Sequence, residues 1–175
     1  QSYEGQAYVR DMNFALEYAK ENRRRMMEAF KLAISNHIKG IEFLDEINIH
    51  HNYAAIENHF GKNLWVHRKG ATSAKADEMG IIPGSMGASS YIVRGLGNPD
   101  SFTSCSHGAG RQMGRKEASR KLTIEACDRA MEGIVFDRWK RARQRGKHRN
   151  KDATHDFGEA PQAYKDIDVV IQAQL

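Results

Sequence analysis

Between Glu4 and about Ile38 the apolar residues Tyr8, Met12, Ala15, Ala19, Met27, Phe30 and Ile34 return at three- and four-residue steps, with one wider gap. Arg23, Arg24 and Arg25 fall between them. A period near 3.6 marks an amphipathic helix with one apolar stripe, so this stretch predicts one long helix or two in series. Gly40 stands where it should end, because glycine takes the left-handed conformation that closes a helix. The pattern then changes. From Ile47 to Gly97 short apolar or alternating runs (Ile47–Ile49, Leu64–Val66, Tyr91–Val93) are punctuated by Gly61, Gly70, Gly80, Gly84 and Gly87. Runs of this kind predict strands and tight loops. After Gly110 helical spacing resumes through Met113 to Met131, with Gly133 as a stop and Ile134–Phe136 as a short strand. Pro161 suits a first helical turn and should open a last helix with Tyr164, Ile167, Val170 and Ile171 on one side. The expected fold class is α+β: a long amino-terminal helix, a central mixed or antiparallel sheet with Gly-rich loops, and helices packed on one side of it.

A chain of 175 residues, 40% apolar and 28% charged, has material for one core, hence one domain or one large piece of one. No apolar run approaches the roughly 20 residues of a membrane-spanning helix, and no basic-then-apolar leader opens the chain. The expected setting is soluble and cytoplasmic, with no membrane partner. Cys105 and Cys127 lack framework spacing and are expected to be reduced thiols used in packing. The start at Gln1 without methionine, and an end inside the last helix, suggest a piece of something longer.

The formal charge of +5 suits a polyanionic partner, and its distribution says more. Eight Lys or Arg residues and no acid lie between Arg138 and Lys151. The run is phosphate-seeking by composition, or else a solvated loop, and residues 138–158 read as a basic flexible segment. Trp139 is its only aromatic, so a single-strand stacking platform there needs aromatics from elsewhere.

Five of the eight histidines, His50, His51, His59, His67 and His107, fall in the Gly-rich middle. Imidazole is both a good metal ligand and a usable nucleophile near neutral pH. At the end of an apolar strand, His50 and His51 would point to opposite faces, so only one would face a site. Pro83-Gly84-Ser85-Met86-Gly87 follows Ile81-Ile82, and such a loop turns backbone N–H groups towards an anion or is a plain tight turn. Ser104 to Arg111 places His107 among small residues and leads into a helix, which would set free N–H groups and a positive dipole end beside the imidazole. Arg111 would add a bidentate phosphate contact. The plain alternative is a Gly-rich cap with a chance histidine.

Taken in order, Ile49-His50-His51-Asn52-Tyr53, His67-Arg68-Lys69-Gly70-Ala71, Ile82 to Gly87, Ser106 to Arg111 and Ala163 to Asp168 resemble the RtcB family of RNA ligases. So does the opening Glu4-Gly5-Gln6-Ala7-Tyr8. The resemblance covers nearly the whole chain, as the carboxy-terminal portion of one catalytic domain, apart from the basic run. It implies a reaction dependent on manganese and GTP. The histidine matching His107 attacks the GTP α-phosphate, GMP passes to an RNA 3′-phosphate, and a 5′-hydroxyl end displaces it. The RNA would be tRNA halves or other cleaved ends. By the same resemblance His51 matches a manganese ligand. His51, Asn52, Pro83, Gly84, Ser85, Met86, Ser90, His107, Gly108, Ala109 and Gly110 match segments lining the GMP pocket, and Tyr164 matches a residue near the guanine.

The departures are as informative. The family's other manganese ligands belong to upstream segments absent from this chain, and one histidine does not hold a catalytic manganese, which needs several ligands. The resemblance therefore implies an RNA ligase incomplete without its upstream half, the isolated chain being inactive. The rivals are a non-catalytic RNA-binding or assembly module that keeps the fold, and a metal-dependent phosphatase or nuclease built on the histidines. The intact His107 loop favours the ligase over the module, and the lack of an acidic cluster near the histidines disfavours the phosphatase.

Overall fold

The computed structural model describes residues 2–139 and 155–175. The basic run and the flexible segment expected at 138–158 thus lie outside the described residues except for 138, 139 and 155–158. The chain divides into two compact units, one built from residues up to Gly80 with Arg94–Cys105, the other from Ile81–Val93 and Ser106–Leu175.

The first unit begins with α1, Tyr3–His37, a single helix rather than two. At 1.5 Å per residue it runs for about 50 Å. Ser2 caps it by accepting from the Gly5 N–H at 3.2 Å, and Gly40 turns the chain away with φ of +72°. No α1 residue is buried. Charge ladders support the helix: Arg24 pairs with Glu21 and Glu28, and Arg25 with Glu21. Hydrogen bonds from Arg24 and Arg25 bring the Glu21 carboxyl down to about 2.

Residues 41–50 have no regular structure, so the strand expected at Ile47–Ile49 is absent. Side chains of α1 hold this stretch instead. Arg23 Nε donates to Asn48 Oδ1 at 2.7 Å, and Lys31 pairs with Glu46 at 2.8 Å. The strand comes after the histidine pair: β1, Asn52–His59, runs antiparallel to β2, Lys62–Lys69, in register from Asn52↔Lys69 to His59↔Lys62. Phe60 and Gly61, both with positive φ (53° and 75°), make the two-residue turn whose twist matches the strands. β3, Ala71–Ser73, pairs with β6, Ser104–Ser106, where the Thr72 hydroxyl and Cys105 Sγ lie 3.3 Å apart.

β4, Met79–Pro83, pairs with β5, Ser90–Arg94, and the second unit takes in Ile81–Val93 of this stretch. The expected α+β class holds, its strands distributed over three two-stranded sheets. The helical stretch expected from Met113 to Met131 is two short helices, α2, Arg115–Lys121, and α3, Ile124–Ala130. They are broken at Thr123, whose side chain caps the Ala126 N–H at 3.3 Å. Leu122 and Ile124 on either side pack onto a small core of Cys127, Phe157 and Ala160. Gly133 stops the helical run as expected, with φ of +79°, but Ile134–Phe136 has no strand structure. Val135 is fully exposed and Phe136 turns to Trp139.

The last helix is also interrupted. Pro161–Ala163 is one 3₁₀ turn, Tyr164 is extended, and α4 spans Ile167–Gln172 with Asp166 capping the Asp168 N–H at 2.9 Å. Tyr164 leaves the helical conformation because its backbone bridges to Arg111. Within the chain α4 already ends, the Ala173 and Gln174 N–H groups bonding back to it. Both cysteines are free, and burial pushes the Cys127 thiol up. Among the described residues no helix is long and apolar enough to cross a membrane.

Candidate functional site

The second unit brings most of the expected pocket residues onto neighbouring loops. Between β4 and β5 the loop closes on itself, Gly84 N–H bonding to Ser89 O at 3.1 Å and Ala88 N–H to Ser85 O at 3.2 Å. Only glycine fits at position 84, where a Cβ would stand 2.4 Å from the Ser89 carbonyl oxygen. Pro83, the last residue of β4, accepts from the Ala109 N–H at 2.9 Å, and this bond ties the Pro83–Met86 loop to the His107 loop. Gly108 permits the approach, since a Cβ there would lie 3.2 Å from Pro83 O. Met86 is exposed, as is Ser90 at the start of β5.

His107 follows β6 directly and is half-buried. The Ser106 hydroxyl beside it bonds to Gly108 O, and the Ser106 N–H donates to Gln174 Oε1. Gly110, with φ of +73°, accepts from the Lys165 N–H at 3.0 Å, and Arg111 bridges to Tyr164. Pro83–Met86, His107–Arg111 and Tyr164 thus share one connected set of backbone bonds.

Two expectations for this loop are corrected. The helix beyond it starts at Arg115, eight residues after His107, so no helix N-terminus adjoins the imidazole in sequence. The tight closure needs the intervening turn, which carries Gly110 and the Arg111 bridge. Among the amides expected to face an anion, Ala109's is spent on Pro83.

Arg111, expected to grip phosphate, is engaged within the protein. Its Nε donates to Met113 O at 3.1 Å, its Nη1 to the Tyr164 hydroxyl at 2.8 Å, and its Nη2 to Gly158 O. The guanidinium lies over the Tyr164 ring, 4.6 Å from its centroid. The Tyr164 hydroxyl in turn donates to Glu159 Oε2, and Arg115 pairs with the other oxygen at 2.8 Å. Burial, then the Glu159 carboxylate, push the Tyr164 phenol up. Burial also pushes the Glu159 carboxyl up, yet hydrogen bonds from Tyr164 and Arg115 hold it below its ordinary value. Sequence reasoning missed Glu159. A lone acid 48 residues from Arg111 carries no local signal.

His51 and Asn52 belong to the first unit, where His51 is exposed and Asn52 opens β1. Neither ends an apolar strand, because residues 47–50 are irregular. His50 is half-buried with Nδ1 3.3 Å from Arg23 Nη2; burial and then Arg23 push its imidazole below the ordinary value. His67 is exposed on β2. His59 is buried, with Nε2 3.0 Å from Glu57 Oε2. Glu57 forms a two-pronged pair with Arg68 at 2.6 and 2.8 Å. Arg68, 2% exposed, also donates to Ser104 Oγ, the Tyr53 hydroxyl and Phe102 O. Its hydrogen bonds bring the Glu57 carboxyl to about 2 despite burial. Arg68 was legible only as part of a motif.

Manganese takes several imidazole or oxygen donors. Among the described residues no three His, Cys, Asp or Glu side chains converge as a metal site, and His51 alone does not make one. These residues do not fit a manganese ion by themselves.

Residues 1–175 match the family described as tRNA-splicing ligase RtcB. An RNA-splicing ligase RtcB1 of Escherichia coli is 44% identical over 173 residues, covering 95% of this chain and 39% of the relative. The RNA-splicing ligase RtcB of Mycobacterium tuberculosis is 35% identical, covering 98% and 41%. The tRNA-splicing ligase RtcB of Pyrobaculum aerophilum is 33% identical, covering 95% and 37%. The chain thus spans about two fifths of the length of these curated relatives. With a family match from end to end and identities well above 30%, the chain belongs to the tRNA-splicing ligase RtcB family.

Proposed function

We propose that this chain supplies the guanylate-accepting part of an RNA ligase that joins RNA 3′-phosphate or 2′,3′-cyclic phosphate ends to 5′-hydroxyl ends. The observation that carries the reading is the His107 loop, tied to the Pro83 loop through Ala109 and to the Tyr164 segment through Gly110 and Arg111. A nucleophile held on such a framework loses little freedom on reaching its transition state.

On this reading a neutral His107 imidazole attacks the α-phosphorus of GTP. The bond from that phosphorus to the β-phosphate oxygen breaks, and pyrophosphate leaves. A 2′,3′-cyclic end is first opened by water, which breaks the bond to the 2′-oxygen and leaves a 2′-hydroxyl and a 3′-phosphate. A 3′-phosphate oxygen of RNA then attacks the phosphorus now on His107, the nitrogen–phosphorus bond breaks, and His107 recovers its electron pair. A 5′-hydroxyl finally attacks the activated 3′-phosphate and gives up its proton, and GMP departs. Tyr164, its ring set by Arg111 and Glu159, stands where the guanine is recognised. On this reading Pro83 to Met86 and Ser90 contribute to the GMP pocket.

The described residues hold too few metal donors, so the chain works only with the remainder of the ligase, and the isolated 175 residues are inactive. Its substrates are tRNA halves or other cleaved RNA ends in the cytoplasm. The test is incubation of the native protein with labelled GTP and manganese, followed by peptide mapping. The label is expected on His107 and lost in His107→Ala; label retained by that variant overturns the assignment.

A further inference from the structure

The rings of Phe136 and Trp139 meet with centroids 5.0 Å apart, Trp139 meets Phe157 at 5.5 Å, and His155 lies 5.8 Å from Phe157. Phe157 belongs to the buried core with Cys127 and Ala160 and anchors the other rings. Beside them is a cavity of about 700 Å³ whose lining includes Asp128, Phe136, Arg138, Trp139 and His155. That volume lies within the range of small-ligand sites, and nothing in the ligation reading uses it. The indole N–H of Trp139 donates to Asp128 Oδ1 at 2.8 Å, which fixes the ring. Its ring neighbours are inclined at 56° and 72°, so neither is stacked flat on the indole. Trp139 also lines the cavity, so its ring borders space that a planar heteroaromatic ring can enter.

Charge selects the class of ring. Trp139 and His155, which both line this cavity, flank the 140–154 stretch of the sequence. Lys140, Arg141, Arg143, Arg145, Lys147, Arg149 and Lys151 occur in it against one acid, Asp152. An aromatic cavity in such a setting suits a base carried on a polyanionic strand better than a free neutral ligand or an acidic peptide, which has no flat ring at each charge. Asp128 sets the orientation: its carboxylate repels phosphate and accepts from base N–H groups, while Arg138 attracts the backbone. We propose that Phe136, Arg138, Trp139 and His155 form a stacking site for a base of single-stranded RNA, made of residues other than those around His107.

The test titrates the native protein with a short oligoadenylate bearing a 5′-phosphate and a 3′-hydroxyl, the reverse of the ends used in the proposed joining reaction. Saturable quenching of tryptophan fluorescence is expected, and it should vanish in Trp139→Phe. Anisotropy of labelled oligoadenylate should show affinity weakened about tenfold in Phe136→Ala and in Trp139→Ala, as for loss of one stacked base, and restored by Trp139→Tyr. Should Trp139→Ala fail to fold, Phe136→Ala at the cavity wall decides. Quenching unchanged in Trp139→Phe, affinity unchanged in Phe136→Ala, or equal quenching by polyphosphate or polyglutamate overturns the site. His107 labelling by GTP, read in parallel, should be unchanged by all these variants; its absence in the parent counts against the ligation reading alone.

Discussion

Each unit holds one arginine between a glutamate and a tyrosine, and the two trios differ mainly in how much water reaches them. The Arg68 and Glu57 side chains are 1% and 11% exposed, whereas those of Arg111 and Glu159 are 23% and 47% exposed. Both guanidinium groups lie over the partner tyrosine ring, at 5.5 Å from Tyr53 and 4.6 Å from Tyr164. The same residue types thus make a brace in one place and a support beside a candidate site in the other. A desolvated charge cannot be left alone without a large cost, so the Arg68 trio locks its part of the first unit. Water replaces lost partners around Glu159, so the Arg111 trio adjusts at smaller cost.

The largest effect expected from this difference is on stability. Arg68→Met leaves the Glu57 carboxylate buried without its partner and should cost about 3–5 kcal/mol in urea unfolding. Adding Glu57→Leu should recover much of that loss, because the orphaned charge goes too. A single-variant loss under about 1 kcal/mol would erase the distinction between the trios.

Arg111→Met should cost less, about 1–2 kcal/mol for a partly wet ion pair and a cation–ring contact. Its main effect should fall on GTP use. With the Tyr164 ring no longer held, the GTP concentration giving half-maximal labelling of His107 should rise several-fold while the final extent stays the same. Arg111→Lys should not restore it, since an ammonium lacks the flat fork that serves Tyr164, Gly158 and Met113 together. Unchanged GTP dependence in Arg111→Met would reduce the trio to a surface contact.

A further effect is expected in acid. Arg68 holds the Glu57 carboxyl at about 2, below an ordinary value of about 4.3. A carboxylate depressed on folding stabilises the protein fully above its unfolded value, and that stabilisation is lost as pH falls through the folded one. Amide protection near Glu57 should therefore decline from about pH 4 towards pH 2. Glu159 is lowered too, against the effect of burial, by hydrogen bonds from Tyr164 and Arg115. Carboxyl NMR should place the Glu57 midpoint well below the ordinary carboxylate range, and an ordinary midpoint would contradict the hold of Arg68 on it.

Much of the fold is legible locally. The α1 stripe, its stop near Gly40, the strand character of Leu64–Val66 and Tyr91–Val93 and the Gly-rich loops all rest on period and turn chemistry within a few residues. The failures have a common cause. Ile47–Ile49 and Ile134–Phe136 are apolar enough for strands but pair with no strand among the described residues, and the former is held by side chains of α1. The last helix breaks at Tyr164 because Arg111, 53 residues away, takes that backbone into a bridge. The ring that meets Trp139 from beyond the basic run is likewise distant in sequence: Phe157, with His155 beside it.

By itself the sequence determined the class of the fold and the family, because helix period, glycine placement and short motifs are local properties of the chain. Only the tertiary structure decided that Arg111 serves Tyr164 and Glu159, that Arg68 is buried on Glu57, and that Trp139 and His155 line one cavity. Each of these depends on which distant groups are brought within hydrogen-bonding or stacking distance and on how much water is left between them. No pattern along the chain encodes that separately from the packing of the whole.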